Sequence, residues 1–145
     1  MQVKWPAIVG LALAVALGAL AVWRNFPYPG AARIEVYLPC PDPVAGCTAL
    51  VGNRTVSIGM AGERKPLTAF QVWVKAAGAV TAQASFTMVG MNMGLNRYTL
   101  RPDVAGVFHA EVILPVCVSG RREWVMSLDI DDTIRVSMPF TTGSP

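Results

Sequence analysis

The chain has a single histidine, His109, so no site within one copy can use two imidazoles. Charge is scarce as well: Asp, Glu, Lys and Arg make up 14% of the 145 residues. The 12 basic and 9 acidic side chains leave a formal net charge of +3, and the basic ones are scattered. A nucleic-acid binder needs them gathered into a patch or stripe, so nucleic acid is excluded as a partner. The G-x-S-x-G, H-E-x-x-H and Walker glycine-loop signatures are missing, and no paired carboxylate or activated nucleophile stands out. These absences point away from an enzyme. Apolar residues, by contrast, are abundant: 53% of the chain is hydrophobic and mean hydropathy is +0.45. Disorder requires the opposite balance. The length suits one small domain.

Much of the apolarity lies in one segment. From Trp5 to Trp23 there is no charged residue, and these 19 residues would span about 28 Å as a helix. A bilayer core is about 30 Å thick. Trp5 and Trp23 suit the two interfaces. Lys4 on the short side implies an N-in, C-out orientation. Residues 1–24 therefore read as a single-pass membrane anchor that meets the lipid bilayer. The alternative is a cleaved signal peptide with its site at Ala19-Leu20-Ala21. Both place the rest outside the cytoplasm; in a bacterium the anchored form is an inner-membrane protein with a periplasmic C-terminal domain. Residues 25–31 hold Pro27 and Pro29, which stop helix and sheet and make a stiff linker. The folded domain is expected over 32–145.

Beyond the linker, no helical period exceeds two turns. Apolar residues instead alternate with polar ones, as in half-buried strands. The runs are Ile34–Leu38, Val56–Met60, Phe70–Val74, Phe86–Met88, Phe108–Leu114, Trp124–Ile130 and Ile134–Met138. About seven strands in a domain of this size predict an all-β, immunoglobulin-like antiparallel β-sandwich.

Cys40 and Cys47 flank a loop containing Pro41, Pro43 and Gly46, with six residues between them. An oxidising compartment favours a disulfide there; a metal-binding or redox pair is the other reading, although the spacing is not C-x-x-C. Cys117 is then left over. It pairs with a partner, stays buried, or binds a soft metal. Three of the seven methionines fall within Phe86–Gly94, namely Met88, Met91 and Met93. An extended backbone puts Met91 and Met93 on one face, while Met88 falls in the core register beside Phe86. Methionine commonly fills gaps in cores. Its thioether is also soft and selects Cu(I). His109 shares the outward face of its strand with Glu111 and is open as a nitrogen ligand or as a solvated surface residue. Met91, Met93, His109 and Cys117 together form the candidate copper site. Asp129, Asp131 and Asp132 lack EF-hand spacing and read as a solvated turn. Arg121-Arg122 reads as a solvated loop, with a partner contact or lipid headgroups as the alternatives.

The series Phe86-x-Met88-x-x-Met91-x-Met93-Gly94-x-Asn96, then Tyr98, Pro102 and Gly106-x-Phe108, resembles the YtkA-like family. Members are small extracytoplasmic β-sandwich domains, often behind one membrane anchor. The resemblance spans Phe86 to Trp124 and implies copper handling linked to cytochrome oxidase or its assembly factors. Met91 and Met93 match the family's methionine motif. The expected function is thus a membrane-anchored periplasmic protein that binds and transfers Cu(I) without catalysis. The alternatives are a metal-free accessory subunit of a membrane respiratory complex, and a thiol-exchange protein using its cysteines.

Overall fold

A computed structural model describes residues 33–91, 96–117 and 119–143. The expected anchor and linker lie outside the described residues, as does Met93. Among the described residues no helix is long and apolar enough to cross a membrane.

The described residues are all-β. They form nine strands: β1 Ile34–Tyr37, β2 Cys47–Val51, β3 Arg54–Ala61, β4 Ala69–Ala76, β5 Ala82–Met88, β6 Arg97–Pro102, β7 Phe108–Ile113, β8 Glu123–Ile130 and β9 Ile134–Thr141. They join in the order β1-β9-β8-β5-β6-β7-β4-β3-β2 as one nearly closed sheet. The β1–β9 pairing is parallel and the others are antiparallel. The stretch β8-β5-β6-β7 is a Greek key, because β8 returns to lie beside β5. The seven alternating runs fall on β1, β3, β4, β5, β7, β8 and β9. Two further strands, β2 and β6, correct the expected count. The short β6 links the two halves: it pairs with β5 and, through Arg101 and Pro102, with β7. Pro102 thus ends a strand, and the turn follows it at Asp103.

Alternation explains the core. Val56, Ile58 and Met60 of β3, Phe70, Val72 and Val74 of β4, and Trp124, Met126, Leu128 and Ile130 of β8 are all buried. Phe86 sits at the centre. Its ring meets those of Phe70 at 6.3 Å, Tyr98 at 5.8 Å and Phe140 at 6.1 Å, each edge-on. Phe70 belongs to the other half of the sheet, so these contacts close the sheet over a single core. Met60, Met88, Met126 and Met138 are buried in it and serve as the gap-fillers their chemistry allows.

The acidic turn is not simply solvated. Asp131, at φ +50°, accepts N–H bonds from Val80 at 2.8 Å and Thr81 at 2.9 Å, and a 2.8 Å bond from Arg54. Asp129 accepts two bonds from Arg135, at 2.7 and 2.8 Å, and one from Arg33 at 3.3 Å. Arginine and amide donors occupy these carboxylates. Among the described residues no three His, Cys, Asp or Glu side chains converge as metal ligands.

Candidate functional site

Two loops leave the same end of the sheet, where β5 and β7 finish and β8 begins. The first follows β5. Gly90 takes φ +74°, a conformation that glycine adopts without a Cβ penalty. The chain reverses there, so the Met91 amide donates to the Met88 carbonyl at 3.2 Å. Met91 is left partly buried at the rim, against the core. The second loop follows β7. Leu114 is buried, Pro115 carries no N–H, and the chain then turns at Cys117, whose carbonyl accepts the Gly120 amide at 3.0 Å.

These turns bring Cys117 Sγ to 3.9 Å from Met91 Sδ, across 26 residues of sequence. Two sulfurs that close can share one ion, since a metal–thiolate bond is about 2.3 Å long. The donor set is soft and fits Cu(I). Cys117 is held in a setting that favours its thiolate. The Ser119 hydroxyl lies 2.9 Å from Sγ. That hydroxyl and the Ser119 amide, with lesser help from Arg121, lower the thiol below its ordinary value against an opposing effect of burial. The thiolate is the form that binds metal. Arg121 is not simply solvated: its Nη1 donates to the Val89 carbonyl at 2.9 Å. Val89, Ser119, Gly120, Arg121 and Glu123 line a surface depression of about 420 Å³, which neither Met91 nor Cys117 lines.

The other candidate residues stand elsewhere. His109 lies opposite Trp73 and Arg101, near the start of β7. Ile113 lies four positions further on, about 13 Å along a strand, and Cys117 lies beyond that. Its Nε2 is 3.1 Å from Asp103 Oδ2 in the β6–β7 turn. The other Asp103 oxygen accepts the amides of Ala105 and Val107 at 2.8 and 2.9 Å. The Val107 amide and His109 hold that carboxyl below its usual range, against a smaller desolvation effect. His109 Nδ1 is buried with no partner among the described residues. The imidazole thus faces the β6–β7 turn and is not brought to the sulfurs. Cys40 and Cys47 are joined in a disulfide, so neither is a free thiol.

Two contributors escaped the sequence reading. Ser119 stands two residues after Cys117, a spacing at which a hydroxyl can turn back onto the sulfur. Arg121 gave no such signal, because its acceptor is the carbonyl of Val89, 32 residues away.

No protein-family model, curated protein or solved structure matches the chain.

Proposed function

We propose that the chain is a membrane-anchored periplasmic protein that binds Cu(I) and passes it to a partner by ligand exchange, without catalysis. The observation that carries this reading is the approach of the Met91 thioether and the Cys117 thiol at the rim of the domain. Exchange needs an accessible site, and a surface depression opens next to these loops, lined by Val89 of one and by Ser119, Gly120 and Arg121 of the other. Met93, two residues after Met91, supplies a third sulfur. His109 stays with Asp103. The nine strands then form an immunoglobulin-like sandwich of the YtkA-like type, consistent with the Greek key and with the β4–β7 and β5–β8 neighbours. The Trp5–Trp23 segment anchors it in a bacterial inner membrane. The recipient is a cytochrome oxidase or one of its assembly factors.

The test is competition between the purified chain and a chromogenic Cu(I) chelator. Met91→Leu nearly conserves volume and should cost the fold under about 1.5 kcal/mol. It removes one sulfur, as Cys117→Ser removes the other. Both variants should bind Cu(I) more weakly than the wild type. The packing of Met91 against the core favours a second reading, a metal-free accessory subunit of a membrane respiratory complex. On that reading the folded wild type takes no Cu(I), and Met91→Leu changes nothing.

A further inference from the structure

We infer that Arg121 is a positioning residue for the sulfur pair, strapping the loop that carries Met91 to the loop that carries Cys117. The inference rests on the copper reading above, because it concerns the same two sulfurs. Its ground is geometry. Arg121 Nη1 donates to the Val89 carbonyl at 2.9 Å. A Cβ built on Gly90 would lie 3.4 Å from that same nitrogen, so the guanidinium runs along the Val89–Gly90 backbone. Its own loop is the Cys117 turn, in which the Gly120 amide next to Arg121 donates to the Cys117 carbonyl at 3.0 Å. A residue of the Cys117 loop therefore reaches across to hold the Met91 turn through its side chain.

The turn needs such a tie. Gly90 stands at φ +74°, and glycine has the most backbone freedom of any residue. Beyond Met88 the ladder to β8 gives way to one longer bond, from the Val89 amide to the Glu123 carbonyl at 3.3 Å. The Arg121 bond is shorter and lies two residues from Met91. A displacement of the turn by an ångström would open the 3.9 Å separation of the sulfurs, and preorganised donors bind metal more tightly than wandering ones. The bond is a single one to a carbonyl, so a lysine of similar reach can replace it. Glutamine is too short and carries no charge.

The experiment uses the full chain as wild type, Arg121→Gln and Arg121→Lys. In the metal-free protein, the nuclear Overhauser contact between the Met91 methyl and the Cys117 β-protons reads the approach directly. Cu(I) affinity is measured on the same samples. Arg121→Gln should lose the contact and weaken Cu(I) binding by about 10- to 100-fold, the usual effect of removing support behind a metal ligand. Arg121→Lys should restore most of both. Unchanged amide resonances in β8 and β9 show that the fold is intact. A contact that persists in Arg121→Gln overturns the inference, even if copper binds. A contact that depends on Arg121 in a protein that takes no Cu(I) upholds the strap and removes the copper reading instead.

Discussion

Cys117 shows how a single side chain acquires a chemistry its type alone does not give. Its hydroxyl and amide neighbours favour the thiolate. Removing the first of them, by Ser119→Ala, should return the thiol toward its ordinary value. Alkylation by iodoacetamide at neutral pH should then slow, and its rate–pH profile should move to higher pH. The sign follows from the reactive form: only the thiolate attacks, and a raised pKa leaves less of it at pH 7. The residue types at this site were readable in the chain. Methionine and a cysteine left over from the Cys40–Cys47 pair suggest a soft metal from residue type alone. Their meeting was not readable, because it depends on where two turns end, 26 residues apart. His109 illustrates the same limit. Its outward face follows from period-two alternation. Its partner Asp103 follows only from a turn that the same carboxylate builds.

At the scale of the element, packing between neighbouring strands explains both what was legible and what was not. Six of the seven legible strands announce themselves because their buried faces are continuously apolar, and β1 does so by the alternation of Ile34 and Val36 alone, since it buries no residue fully. β2 does not. It is a short edge strand, and its Leu50 points outward with 72% of its surface exposed. β6 carries Arg97, Arg101 and Pro102 and buries chiefly Leu100, so its pattern resembles a loop. Gly59 of β3 and Trp73 of β4 stand directly opposite each other. The indole lies over the Gly59 backbone and reaches Gly46, where an added Cβ would come within 2.6 Å of the ring. Gly59→Ala would drive a methyl into the indole, so it should destabilise the domain by about 1–3 kcal/mol, the range for overpacking. Urea denaturation followed by Trp fluorescence checks this.

At the scale of the whole molecule, stability depends on ties between distant parts of the sheet. The edge strands are β1 and β2. The Cys40–Cys47 bridge joins them at one end, between a residue just after β1 and the first residue of β2. The eight-residue loop it closes is worth about 2–3 kcal/mol by the chain-entropy estimate. The Cys40→Ser/Cys47→Ser variant should lose about that much, as measured by chemical denaturation. Asp131 is a second tie, joining the β8–β9 turn to β3 and to the β4–β5 connection. Burial opposes its charge, but the Arg54 bond and the Thr81 and Val80 amides outweigh it and lower the carboxyl's pKa. A lowered folded-state pKa contributes stability that is present above the ordinary carboxylate range and is lost as pH falls toward the folded value. Asn tolerates the positive φ of this position. Asp131→Asn should therefore cost about 1.5–3 kcal/mol at pH 7, the range for hydrogen bonds to a charged group. The difference from wild type should shrink in acid. The Asp129/Asp131/Asp132 group reads as a bare acidic turn in sequence, since the arginines that pair with Asp129 and Asp131 come from Arg33 just before β1, from β3 and from β9.

The central claim is that sulfur, and not the imidazole, holds the ion. X-ray absorption at the copper edge of the Cu(I)-loaded chain tests it most directly. A first shell of sulfur alone is expected, with one scatterer fewer in Cys117→Ser and no change in His109→Gln. A shell containing nitrogen that disappears in His109→Gln, or a folded chain that retains no copper, would contradict it.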